Sequence, residues 1–171
     1  MPRISLIEAP DDEAALEAAW RRDRRPLGAR LLRSHSSVAE FRYAELAPPE
    51  APPPELPGRV HSAVYEVLVD DLPSGAPFAF VLVNPFEVEP ADDEVFIADW
   101  TAVRDTVRGR PGYIGSRLHR TTEAAAEFRF VNVSPWAGVA EFTAAVADPA
   151  FAAAARSIYH AAHPSLYVAV E

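Results

Sequence analysis

Gly28-Ala29-Arg30-Leu31-Leu32-Arg33 and Gly115-Ser116-Arg117-Leu118-His119-Arg120 follow one pattern 87 positions apart, and Ala39-Glu40-Phe41-Arg42-Tyr43 and Ala126-Glu127-Phe128-Arg129-Phe130 repeat it at the same offset. Two matches at a constant offset mark an internal duplication. Upstream of each match the order is again shared. Arg3-Ile4-Ser5-Leu6-Ile7 reads as a strand, and Pro10-Asp11-Asp12-Glu13 opens a helix that ends near Trp20-Arg21-Arg22. Phe80 to Val88 reads as the second copy's strand, and Pro90-Ala91-Asp92-Asp93-Glu94 opens a helix through Trp100 towards Arg108. Acidic first turns suit the positive end of a helix dipole, and Arg21, Arg22, Arg24 and Arg25 suit the other end of the first helix. Downstream, Tyr65-Glu66-Val67-Leu68-Val69 resembles Tyr167-Val168-Ala169-Val170, now 102 positions on. The added residues are read as a second helix, Gly138 to Ile158, which the first copy replaces with a proline-rich stretch.

The second copy therefore runs strand, helix, strand, strand, helix, strand, the ferredoxin-like βαββαβ order, in which the first and third strands are neighbours. The division expected is a degenerate half over residues 1–71, a linker over 72–77 and a complete half over 78–171. The linker is short enough to keep the halves packed, with their sheets face to face. Of 17 prolines, six fall between Pro48 and Pro57. Proline fixes φ and removes a donor, so residues 48–58 are expected as an extended surface loop in place of a helix.

Composition narrows the function classes. The chain has 171 residues and a net charge of −9, which argues against nucleic acid or an anionic membrane as partner. No apolar run approaches the ~20 residues of a membrane helix, and Met1 to Asp12 lacks a signal core. Without cysteine, thiolate metal sites, disulfides and cysteine nucleophiles are excluded. Metal spacings, phosphate loops and nucleophile elbows are missing as well. A cytoplasmic protein without a metal is the reading.

Residues two apart on a strand share a face. Phe80, Leu82, Asn84, Phe86 and Val88 form one such face, and Phe128, Phe130, Asn132 and Ser134 another. On neighbouring strands both asparagines would emerge on the aromatic-lined face that the helices cover. A buried amide left unsatisfied costs ~1–3 kcal/mol. Each asparagine either bonds nearby backbone or serves a ligand, and two converging on one face weigh towards the ligand. Trp136, four residues after Asn132, lies at the strand-to-helix corner, where a buried indole N–H needs a partner. Trp20 and Trp100 read as core. His119 is the candidate proton acceptor, set against a solvent-facing strand histidine.

The motifs Val83-Asn84-Pro85-Phe86-Glu87-Val88, Arg110-Pro111-Gly112-Tyr113, Arg117-Leu118-His119-Arg120 and Phe128-Arg129-Phe130-Val131-Asn132-Val133-Ser134-Pro135-Trp136 resemble the antibiotic biosynthesis monooxygenase family. The resemblance covers residues 78 to 171. It implies an α+β fold: tandem ferredoxin-like repeats forming within one chain the barrel that relatives build as dimers, with further homo-oligomers open. It also implies that Asn84, Asn132 and Trp136 carry the site, with Phe80, Leu82, Phe86, Phe128 and Phe130 around the substrate. The activity implied is oxidation of an electron-rich anthrone- or polyketide-like aromatic by O₂ with no cofactor. Two alternatives remain. One is a haem-binding or haem-degrading protein of the same fold, although Val146 stands where that branch has a histidine. The other is a non-oxidative polyketide cyclase or ligand-binding auxiliary protein.

Overall fold

Asp12 caps the first helix by accepting the Ala15 N–H at 2.9 Å, and the computed structural model, which describes residues 1–170, places that helix between two strands. The first half runs β1 (Arg3–Glu8), α1 (Glu13–Asp23), β2 (Arg30–Ser34), β3 (Phe41–Ala47) and β4 (Val60–Asp70). The second runs β5 (Phe80–Glu87), α2 (Asp93–Val107), β6 (Arg117–Thr121), β7 (Phe130–Trp136), α3 (Val139–Val146), α4 (Pro149–Ala155), β8 (Ala161–Ala162) and β9 (Ser165–Ala169). Within each half the strand order is ferredoxin-like, β4-β1-β3-β2 and β9-β5-β7-β6.

The halves meet edge to edge as well as face to face. β4 pairs with β6, and β2 pairs with β9, both antiparallel. Together these seams close eight strands into an antiparallel barrel. Closure removes the free edges that two separate sheets would expose. Ile4, Leu6, Leu32, Ala44, Val81, Val83, Val131 and Val133 fill the barrel interior. The opposite parity faces outward under the helices, where Ile7 and Tyr43 meet Leu16 and Trp20 of α1.

A symmetric pair of histidines marks one end of the barrel. His61 contacts Glu8 at 3.1 Å and also Glu127 of the other half. His163 contacts Glu87 at 2.9 Å and Glu40 of the other half at 2.6 Å. Phe41 and Phe128 lie against both imidazoles. Glu40 and Glu127, like Phe41 and Phe128, are partners in the 87-residue repeat.

One expectation from the sequence changes. The helix read over Gly138 to Ile158 is broken into α3 and α4, because Pro149 removes an N–H and Asp148 starts a new helix by accepting from Ala150. Arg24 stands at the end of α1 as expected, and its side chain is buried there. Residues 48–58 contain no helix. They lie across the outer face of the first half, where Leu56 joins Leu16, Trp20 and Tyr43.

Candidate functional site

β5 carries a proline in its middle, which a strand flanked on both sides tolerates only where a ladder bond is missing. Pro85 falls in such a gap: β9 pairs as far as Val83, and β8 begins opposite Phe86. Beside it, Asn84 is directly across from Asn132 in the β5–β7 register, and Phe80 is across from Trp136. Both asparagines point outward, to the face roofed by α2, α3 and α4.

Leu82, Asn84, Asn132 and Trp136 line one cavity of about 280 Å³, closed by Trp100 and Val107 of α2, Phe142 of α3 and Phe151 of α4. An adjoining chamber of about 190 Å³ shares Leu82, Asn84 and Asn132 and adds Phe86 and His160. Gly112 lets α3 come this close: it sits at φ 79°, and a side chain there would collide with Glu141. Tyr113 and Phe142 pack edge-on against Trp136, each at 5.4 Å between ring centres.

Apart from Arg104, whose guanidinium is hydrogen-bonded to Asp105, the polar atoms at the cavity fall into two groups. Ser116, Ser134 and Tyr113 are satisfied: Tyr113 Oη lies 2.9 Å from Ser116 Oγ, which donates to Ser134 Oγ, which donates to the Gly115 carbonyl. Burial pushes the Tyr113 hydroxyl up to about 12, so it stays protonated. In contrast, Asn84 Oδ1, Asn132 Oδ1 and Trp136 Nε1 are buried without a hydrogen-bond partner, and no hydrogen bond joins either amide to another described residue. Three such atoms, each costing ~1–3 kcal/mol, converge on one apolar cavity. Two are carbonyl acceptors and one is an indole donor.

The other expected residues are distributed differently. Leu82 and Phe86 line the chambers. Phe130 lies behind them, in a cluster with Phe86, Phe96 and Leu118. Phe80 is half-buried at the barrel seam, edge-on to His35. Phe128 is a correction: it packs inside the barrel with Phe41. The alternation of β7 begins only at Phe130, and Arg129, whose N–H bonds the Phe86 carbonyl, interrupts it. His119 is a second correction. Leu118 opposes Asn132 in register and faces the helices, so His119 points into the barrel. There it is 2% exposed and its Nδ1 meets the Val131 carbonyl at 3.0 Å. Burial pushes its pKa down to about 4. It neither faces solvent nor reaches the cavity.

Sequence reading missed the contribution of Trp100, Val107, Phe142 and Phe151 to the cavity wall, since their apolar helical spacing cannot distinguish a packed core from a lined cavity. Among the described residues no group of three or more His, Asp or Glu could hold a metal ion, and no helix is long and apolar enough to cross a membrane.

The family model for antibiotic biosynthesis monooxygenase matches residues 79–157. No curated protein matches the chain. Among solved structures, an anthrone oxidase-like protein is 13% identical, covering 99% of this chain and 91% of its own, with a TM-score of 0.72. The haem-degrading enzyme LmHde of Listeria monocytogenes is 12% identical over 98% of this chain and 99% of its own, with a TM-score of 0.58. A Shewanella loihica PV-4 protein, provisionally described as a monooxygenase, is 29% identical over 54% of this chain and 94% of its own, with a TM-score of 0.48. The full-length matches establish the shared barrel fold.

Proposed function

Residues 79–157 match the antibiotic biosynthesis monooxygenase family, and on that premise we propose that the protein oxidises an electron-rich aromatic of the anthrone or polyketide kind with O₂, without a cofactor. The observation that carries this reading is the trio of buried, unpartnered polar atoms on Asn84, Asn132 and Trp136. All three are neutral. Each amide can accept from a phenol O–H through Oδ1 or donate to an oxygen through its NH₂, and the indole N–H donates, none of them imposing a charge on an apolar slot.

In such a reaction the substrate supplies the electrons. Once deprotonated, its ring carries enolate charge, and the barrier to attack on O₂ depends on how well that charge is held. The indole N–H and the amide NH₂ groups are preorganised donors at a site where the dielectric is low, so they act most strongly on charge that develops during reaction. Trp100, Phe142 and Phe151 exclude water from the reactive anion. Domain boundaries at 71/72 and 77/78 accompany this proposal: the second half holds the site, and the first completes the barrel.

The haem alternative would draw its axial ligand from His160 of the adjoining chamber rather than from the helices over the asparagines. Iron needs an axial His, Cys, Met or Tyr ligand, and the helices over the asparagines present Phe142, Val146 and Phe151. A Soret shift on haem titration would favour that alternative, and binding of an anthrone with no oxygen consumed would favour the cyclase or ligand-binding one.

The test is oxygen uptake with 1,8-dihydroxyanthrone in chelator-treated buffer. Asn132→Ala is expected to lower kcat by ~10²-fold or more with a smaller effect on binding. Trp136→Phe keeps most of the apolar area and removes the N–H, which separates packing from hydrogen bonding. Full activity in the Asn84→Ala/Asn132→Ala variant would overturn the proposal.

A further inference from the structure

We infer that His160 is the proton acceptor of this site, held in its basic tautomer by Asp92; the inference rests on the oxygenase reading above and supplies the base that reading lacks. His160 lines the chamber that Asn84, Asn132, Phe86 and Trp100 also line. Its Nε2 lies 3.2 Å from Asp92 Oδ2. A carboxylate only accepts, so the ring proton sits on Nε2 and the lone pair on Nδ1. That Nδ1 is buried with no partner, the fourth unsatisfied polar atom among the residues around the asparagines. Stacking on Tyr159 and an edge contact with Phe96 fix the ring plane. The backbone is pinned too, because the next two residues, Ala161 and Ala162, form β8 against Glu87 and Phe86.

His160 is also a wall between two environments. Its other side borders an outer polar groove lined by Glu87, Glu89, Asp92 and Arg129. Asp92, on the groove side, stabilises the imidazolium that forms when Nδ1 takes a proton, until that proton is given back. Along β5, Asn84 and Phe86 are two residues and roughly 7 Å apart. A fused-ring substrate held by the amides at one end therefore extends towards His160 at the other.

The chemistry balances with O₂ as oxidant. Nδ1 takes a proton from the reactive ring CH₂, and the C–H electron pair stays on the ring as the carbanion. Carbon–oxygen bond formation to O₂ gives a peroxide anion, which recovers the proton from the imidazolium. The O–O bond then breaks as hydroxide leaves with the remaining hydrogen of that carbon, giving a carbonyl and one water.

The test separates ionisation from oxidation. With oxygen removed and at neutral pH, wild-type protein is expected to convert bound 1,8-dihydroxyanthrone to its anion, read by absorbance. His160→Gln should bind the same anthrone, read by tryptophan quenching, yet leave it neutral, with oxygen uptake after aeration reduced ~10²-fold or more. Asp92→Asn keeps the imidazole and removes the carboxylate, and it should fall between the two. Wild-type protein that leaves bound anthrone neutral, or a His160→Gln variant that ionises it as wild type does, would overturn the inference. Anion formation followed by no oxygen uptake would count against the oxygenase reading while supporting His160 as the base. Normal uptake by His160→Gln would do the reverse.

Discussion

The two halves place different residues at the same point of the same scaffold. In the second half Asn84 faces Asn132 across β5 and β7, and their amides look into a cavity. In the first half Ser5 faces Glu45 across β1 and β3, and that space is filled. Arg24, from the end of α1, grips Glu45 with two hydrogen bonds of 3.0 and 2.7 Å and gives a third, at 2.9 Å, to the Pro52 carbonyl. Ser5 shares a hydrogen bond with Ser62. Leu56, from the proline-rich loop, packs with Leu16, Trp20 and Tyr43. One copy pairs Ser5 and Glu45 internally and closes, with the Trp20 indole N–H left unmet; the other keeps α3 and α4 as a roof and leaves both facing asparagines unmet. The contrast separates what the fold needs from what a ligand would need.

If that contrast is right, the largest effect comes from opening the filled half. Arg24→Met leaves the Glu45 carboxylate buried and unpaired, and it should cost ~3–5 kcal/mol in urea denaturation, whereas Arg24→Met/Glu45→Leu should recover most of the loss. Equal stability of the single and double variants would show that the pair does not plug the first half.

A second effect belongs to the barrel that both halves share. His119 binds a proton below its ordinary value of 6.5 when unfolded, but only below about 4 when folded. The unfolded state therefore takes up protons first, and stability falls as pH drops from 6.5 towards 4, by ~3 kcal/mol over that window. His119→Leu should flatten this part of the acid-stability curve; an unchanged slope would mean that the acid loss arises elsewhere.

The smallest of these effects lies at the symmetric histidine pair. Hydrogen bonds to Glu40 and Glu87 outweigh burial and raise the His163 pKa above 6.5. Its stabilisation is complete below 6.5 and is lost as pH rises through the raised value. His163→Gln should remove that alkaline-side decline while sparing the acid-side loss assigned to His119. A decline that persists in the variant would break the assignment.

What was legible in the sequence was local or repeated. Strand parity placed Asn84 and Asn132 on one face, and the motifs at the 87-residue offset announced two halves of like strand order, because both patterns are written along the chain. Parity does not say which face of a strand meets the helices, so His119 was assigned to the wrong environment. Phe128 was misplaced because Arg129 interrupts the alternation just before β7. Barrel closure through β4–β6 and β2–β9 joins residues far apart in sequence, and nothing local encodes which edges meet. Arg24 is legible as a helix-end charge, but its partner Glu45 comes from a strand far along the chain, so the buried pair is not. His160 escaped for the same reason: its place depends on β8, two residues that no periodicity announces.

The most direct measurement compares ligand-dependent stability in wild type and Asn84→Leu/Asn132→Leu. Replacing two unsatisfied buried amides by apolar side chains of similar size removes a cost of ~1–3 kcal/mol each. The account predicts a variant that melts at or above the wild-type temperature when ligand-free, gains no thermal shift from 1,8-dihydroxyanthrone under nitrogen and consumes no oxygen in air. A variant that melts well below wild type, yet keeps the anthrone-induced shift and the oxygen uptake, would contradict it.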